Sequence, residues 1–324
     1  MIIEALLSVA GLVLLTFAAD HLVLGSSRLA ARMRISPVVV GVVVIGLGTS
    51  APEFLVSALA AARGDTGIAV GNIVGSNILN LTLILGVAAL ITPFAVASTV
   101  IRREVPLAVG SVLVFAVAAY TGLSPLTALL LTACAAGALF VLVRWARSGG
   151  NQELTAEVAE FEAEGGAAVV AAAKRPAGWI EPVRTVLGLA GVLAGAQLLV
   201  ANASTIAEQL GVPQIIVGFT LVALGTSLPE LVTTIQAQRR GETDLVVGNL
   251  FGSNLFNSLA GGAFIGFAAG TDRPGTTTLP LLSAMLFTAL LAWALLRRGL
   301  RLTRVDGLVL LGAYCLTLPL LLTF

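Results

Sequence analysis

Glu53 and Glu230 are the residues of this chain whose type and spacing demand a chemical use. Each closes a run of small and hydroxylated residues: Gly48-Thr49-Ser50-Ala51-Pro52-Glu53 recurs 177 positions later as Gly225-Thr226-Ser227-Leu228-Pro229-Glu230. Both runs are embedded in apolar sequence. An ionised carboxylate deep in a bilayer costs about 2.5 to 3.5 kcal/mol on insertion scales. No Lys or Arg lies in the apolar run on either side to neutralise either one, so a cation is the natural partner. On a helix Thr49, Ser50 and Glu53 fall at i, i+1 and i+4, and their three polar groups converge on one face. Thr226, Ser227 and Glu230 do the same. Pro52 and Pro229 each remove a backbone N–H and crowd the carbonyl four residues back, at Gly48 and Gly225, which predicts kinked helices with loosened carbonyls.

The offset of 177 persists downstream. Gly71-Asn72-x-x-Gly75-Ser76-Asn77-x-x-Asn80 aligns with Gly248-Asn249-x-x-Gly252-Ser253-Asn254-x-x-Asn257, and Arg63-Gly64-Asp65-Thr66 with Arg240-Gly241-Glu242-Thr243. Asn72, Ser76 and Asn80 recur every four residues and form one polar helical stripe; Asn249, Ser253 and Asn257 form its twin. Nearness to the Glu motifs favours a ligand role for Ser76, Asn80, Ser253 and Asn257. For Asn72 and Asn249, hydrogen bonding to a neighbouring helix serves equally well. The flanking glycines are a small-xxx-small arrangement that admits a close helix neighbour. Every group in the set offers oxygen, which selects hard cations; calcium suits six to eight such ligands, whereas zinc or copper would want His or Cys. Two carboxylates balance one divalent ion or two monovalent ones, so sodium and calcium would compete for the same space.

The elements that must position these groups are membrane helices. Hydrophobic residues make up 57% of the 324 positions and charged residues 11%, and the mean hydropathy is +1.01. About ten apolar runs are each long enough to cross a ~30 Å hydrocarbon layer. They are continuously apolar rather than alternating, which predicts an all-α polytopic membrane protein and not a barrel. The first run lacks a basic leader and a cleavage site, so it reads as a retained helix. Sixteen of the 18 Lys and Arg residues fall in alternate loops, with only Arg63 and Arg273 in the other set. The positive-inside rule therefore places both termini outside a prokaryotic-type inner or plasma membrane. Ten helices divide into two five-helix repeats, 1–143 and 183–324. An odd number per repeat makes the second copy enter the membrane inverted, with the site between the copies near the midplane. The linker 144–182 is then a cytoplasmic loop. Its Glu153, Glu157, Glu160 and Glu164 share one helical face, which reads as a solvated linker helix with a regulatory calcium site as the less favoured reading.

Other classes lack their parts. His21 is the only histidine; it is expected in an interfacial polar cluster with Asp20 and Arg28, and no motif supplies a nucleophile with a base. Cys134 and Cys315 have neither disulfide nor metal spacing. Inverted halves favour alternating access over a channel. No cofactor, nucleic acid or obligatory protein partner is indicated; the expected partners are Ca2+, Na+ and the lipid bilayer.

The G-T-S-x-P-E and G-N-x-x-G-S-N motifs, matched in both halves, closely resemble the alpha repeats of the calcium/cation antiporter superfamily, in its prokaryotic sodium/calcium exchanger branch. The resemblance covers nearly all the predicted helices except the central loop. It implies that helices 2, 3, 7 and 8 hold the ions while helices 1 and 6 slide. It further implies that Glu53 and Glu230 are shared calcium and sodium ligands, with Thr49 and Thr226 beside them. Ser50, Ser76, Ser227 and Ser253 would complete flanking sodium sites, Gly46 and Ala223 would lend backbone carbonyls, and Asn80 and Asn257 would line the centre. Some relatives carry an acid where this chain has Asn257, and its absence argues against potassium co-transport. Proton/calcium exchange is the alternative, weakened because that branch resembles G-N-x-x-E on these helices and neither stripe supplies that Glu.

Overall fold

A computed structural model describes residues 2–33, 35–148, 179–211, 223–269 and 279–322. The acidic stretch 153–164 lies outside the described residues, as does Arg273. Those described form helices, apart from short connections and one pair of two-residue strands.

Six described helices are each long and apolar enough to cross a membrane: Ile2–Met33, Thr66–Ile91, Ser98–Thr121, Pro125–Ala146, Ile180–Gln209 and Leu279–Gly299. The pair Pro37–Thr49 and Ala51–Ala62, bent by 42°, makes a seventh. Six or seven of the ten expected spans thus meet the criterion among the described residues. Membrane helices need no polar outer face, and here Ile2, Leu6, Val13, Phe17, Leu126, Phe140, Val186 and Leu316 all stand exposed. The interior is largely apolar as well, with a concentrated polar zone around the two glutamates and separate buried polar groups such as Asp306 and Gln238 elsewhere.

In the first half, α1 is Ile2–Met33, α2 Pro37–Thr49, α3 Ala51–Ala62, α4 Thr66–Ile91, α5 Ser98–Thr121 and α6 Pro125–Ser148. From the second half come α7 Ile180–Gln209, α8 Ala223–Thr226, α9 Leu228–Arg239 and α10 Thr243–Phe256. Helices α1 and α7 form the most extensive helix pair among the described residues. Glycine makes that closeness possible: a methyl group at Gly11 would stand 2.6 Å from the Leu199 amide nitrogen, and one at Gly188 2.7 Å from that of Leu22. Because Gly188 is the repeat counterpart of Gly11 and Leu199 that of Leu22, the two contacts are one contact seen twice. This is the self-complementary pattern of a two-fold axis. As position rises from 11 to 22 on α1, its partner falls from 199 to 188 on α7. Equivalent helices therefore run antiparallel, which is the arrangement an inverted repeat requires.

The strands tie the halves together at one end. Phe94 pairs with Leu302 and Ala95 with Arg301, antiparallel.

The proline segments differ from the kinks expected. Helix α2 ends at Thr49, Ser50 has left helical geometry with ψ at 1°, and α3 restarts at Ala51. Ser227 interrupts the second copy in the same way, with ψ at 7°. Each proline thus stands in the first turn of a new helix, where its missing N–H would have no intrahelical acceptor anyway. The result is a break rather than a kink.

Candidate functional site

Both breaks open onto the polar zone, and the polar groups there pair across the repeat. Ser50 Oγ donates to Glu230 Oε1 at 3.2 Å, and Ser227 Oγ donates to Glu53 Oε1 at 3.2 Å. Each half therefore supplies a hydroxyl to the carboxylate of the other. Thr49 lies against the Glu230 carboxylate and Thr226 against that of Glu53. Both glutamates are fully buried, as are Thr49, Ser50 and Asn257. Ser253 Oγ is 3.3 Å from Glu230 Oε1 and 3.1 Å from the Gly46 carbonyl oxygen. Ser227 Oγ also reaches Ser76 Oγ at 3.4 Å.

The zone also holds polar atoms left without a partner. Glu53 Oε2, Glu230 Oε2, Asn80 Oδ1 and both amide atoms of Asn257 are buried without a hydrogen-bond partner. Buried acceptors in a native protein are ordinarily satisfied, and exceptions concentrate where an ion or water belongs. Two carboxylate oxygens and two amide oxygens, with hydroxyls around them, form an acceptor-rich set suited to a hard cation.

Backbone irregularity coincides with this set. A π-helical segment, Gly41–Gly46, runs into the first Glu motif; two more, Asn80–Ile84 and Asn257–Gly261, begin at the two central asparagines. Wider turns of this kind leave carbonyls out of the regular ladder and are frequent at functional sites. No residue pattern marks them in advance, since no proline stands in any of the three segments.

Ten of the twelve residues expected at the site, Glu53, Glu230, Thr49, Thr226, Ser50, Ser227, Ser76, Ser253, Asn80 and Asn257, have buried side chains. Gly46 is buried too, and its carbonyl accepts from Ser253. Ala223 opens α8, and its side chain lies outside the described residues. Asn72 and Asn249 both take the bridging role. Asn72 Nδ2 donates to the Glu53 carbonyl at 3.3 Å and to Ser57 Oγ at 2.9 Å. Asn249 Nδ2 donates to the Glu230 carbonyl at 3.3 Å and to Thr233 and Thr234 at 3.1 Å each. They hold the glutamate helices in place.

Asn77 and Asn254 stand in the repeated motif, yet the sequence alone assigns them no role. They are counterparts of one another and meet on the pseudo-axis, where Asn254 Nδ2 donates to the Asn77 carbonyl at 2.9 Å. Asn80 Nδ2 donates to Asn254 Oδ1 at 3.1 Å, and Asn77 Nδ2 to Ser258 Oγ at 2.9 Å. Their recurrence at the fixed offset is the signal that could have found them. His21 packs edge-on against Phe17 and lies beside Asp20, as expected, while Arg28 pairs with Glu181 instead.

A helical membrane protein whose antiparallel copies close on a buried, oxygen-lined pair of carboxylates has the build of a secondary ion transporter. Comparison with known proteins then gives the family. The sodium/calcium exchanger protein family matches residues 3–146 and 181–323, and the chain belongs to it. It is 37% identical to a putative antiporter, CaxA, of Alkalimonas amylolytica, over 97% of both chains. It is 29% identical to the sodium/calcium exchanger MaX1 of Methanosarcina acetivorans, over 79% of this chain and 80% of that one. Among solved structures it superposes on the sodium-calcium exchanger NCX_Mj with a TM-score of 0.81 at 30% identity, covering 98% of each chain.

Proposed function

We propose that this protein exchanges sodium for calcium by alternating access, with both ions bound at the same midplane oxygens. The observation that carries the reading is the reciprocal pair of Ser50 with Glu230 and Ser227 with Glu53, each carboxylate keeping a second, unpartnered oxygen. Glu53 and Glu230 are the shared ligands. Thr49 and Thr226 stand beside them, and Asn80 and Asn257 line the centre. Ser50, Ser253 and the Gly46 carbonyl form one flanking sodium site; Ser227, Ser76 and the Ala223 carbonyl form the other. The long helices α1 and α7 slide past the helices that hold the ions, and the linker 144–182 joins the repeats 1–143 and 183–324. Both termini face outward and the arginine-rich loops face the cytoplasm.

Coupling follows from charge. Two carboxylates balance one calcium or two sodium ions; a third sodium in a hydroxyl-lined position moves one net charge per cycle. One charge crossing the membrane field is worth about 2.3 kcal/mol per 100 mV, so an inside-positive potential should enhance calcium uptake. The test is calcium uptake into proteoliposomes under an outward sodium gradient at clamped potentials, against an imposed pH gradient without sodium. Sodium-driven, voltage-sensitive uptake is expected. Uptake that follows the pH gradient and ignores sodium would assign the protein to proton-coupled calcium transport.

A further inference from the structure

The pseudo-symmetry that holds at the midplane is broken at the two ends of the long paired helices. At the arginine-rich end, Arg240 makes a two-pronged ion pair with Asp20: Nε to Oδ1 and Nη2 to Oδ2, both at 2.6 Å. About two turns further along α1, Ser27 donates to Glu242, just past α9. These contacts fasten α1, one of the two equivalent long helices, to the C-terminal end of α9, the helix that carries Glu230. Helix α1 also packs broadly along α9.

The repeat counterparts do none of this. Asp20 corresponds to Gln197, Arg240 to Arg63, Ser27 to Ser204 and Glu242 to Asp65. Gln197, Arg63 and Asp65 stand exposed, and the Ser204 hydroxyl has no partner. Helix α7 lacks, against α3, the broad packing that α1 has against α9. Among the described residues, one end is therefore bolted by side-chain pairs and broad packing, and its mirror image is not.

The chemistry makes the asymmetry permanent rather than a property of one state. In an inverted repeat, alternation exchanges the arrangements of the two halves, so closing the opposite end would bring α7 against α3 and Gln197 toward Arg63. An amide in place of the carboxylate cannot form the two-pronged charged pair that Asp20 makes. We infer that the Asp20–Arg240 pair, with the Ser27–Glu242 hydrogen bond, is a one-sided latch that biases the ion-free transporter toward the state closed at its arginine-rich end. The latch rests on the alternating-access reading of the function. The pair is about one-third exposed on each side, at 35% and 34%, so its contribution is modest. A shift of about fivefold in the ratio of the two states is the expected size for a partly exposed pair of good geometry.

The test uses the full-length chain in liposomes. Cys134 and Cys315, both exposed, are replaced by alanine, and spin labels are attached at exposed positions on α1 and at the start of α5, through Ala31→Cys and Ser98→Cys. Pulsed dipolar distances then report opening at the arginine-rich end. Asp20→Asn should raise the open population about fivefold, and the charge reversal Asp20→Arg with Arg240→Asp should restore the original distribution. Gln197→Asp should shift the balance the same way as Asp20→Asn, by giving the opposite end the acid it lacks. Calcium presented from the arginine-rich side should bind Asp20→Asn more tightly by the same factor, because apparent affinity scales with the binding-competent fraction. Unchanged distances in Asp20→Asn, or an Asp20→Arg/Arg240→Asp variant that behaves like the single one, would overturn the latch. Sodium-independent calcium uptake with the expected distance shifts would overturn the coupling assignment alone.

Discussion

Around the two buried glutamates the two halves of this protein are near copies of one another, while at the ends of the long paired helices they differ. Ser50–Glu230 and Ser227–Glu53 have equal geometry, and Asn72 and Asn249 hold the glutamate helices through the same carbonyl position. At the ends, an ion pair of 2.6 Å on one side faces an exposed glutamine and arginine on the other. The difference separates two requirements. On the proposed function, a site that must look alike from both sides of the membrane tolerates little divergence, because each half places a hydroxyl on the carboxylate of the other. On the same reading the ends set how often each side is presented, so divergence there adjusts a population and leaves the glutamates untouched.

The strongest way to break this comparison is to remove a charge from the symmetric part. Glu53→Gln and Glu230→Gln should each abolish calcium exchange while leaving a folded protein, since each keeps the side-chain shape and halves the site's charge. Retained exchange in one of them would show that the halves are not equivalent partners at the ion. Uptake assays beside size-exclusion profiles check it.

Removing one hydroxyl is milder. Ser50→Ala and Ser227→Ala each delete a hydrogen bond to a carboxylate, an interaction of about 1.5 to 3 kcal/mol. We expect matched losses of roughly tenfold or more in apparent ion affinity. A large effect in one and none in the other would confine the symmetry to the backbone.

The helix seam provides a prediction about stability rather than transport. Gly11→Ala and Gly188→Ala push a methyl group to 2.6 and 2.7 Å from a facing amide nitrogen. Overpacking of this kind costs about 1 to 3 kcal/mol, and thermal unfolding in detergent should register it equally for both. An unaffected Gly188→Ala variant would contradict the mirrored contact.

The smallest effect is expected from the linker. Deleting residues 153–164 should leave exchange largely intact, and loss of activation by calcium on deletion would assign that stretch a regulatory role instead.

Much of this is legible in the sequence because both the motifs and their offset are covalent facts. The repeated Gly-Thr-Ser-x-Pro-Glu run predicts where charge and hydroxyls gather, and the odd number of apolar runs per half predicts inverted halves without any coordinates. Three features are not legible. The wide turns at Asn80 and Asn257 carry no proline or other local mark in the sequence. Ser50 and Ser227 break their helices where the prolines suggest kinks, because a proline is as compatible with the first turn of a helix as it is disruptive in the interior. The pairing of Asp20 with Arg240 joins residues 220 positions apart, and no local periodicity reports such a contact.

Competition between sodium and calcium for one set of midplane oxygens is tested most directly by equilibrium calcium binding to the purified protein as sodium is raised. One calcium site per chain is predicted, displaced competitively by sodium with a Hill slope above one, and lost in both Glu53→Gln and Glu230→Gln. Calcium binding that is indifferent to sodium, or that survives in either glutamine variant, would contradict it.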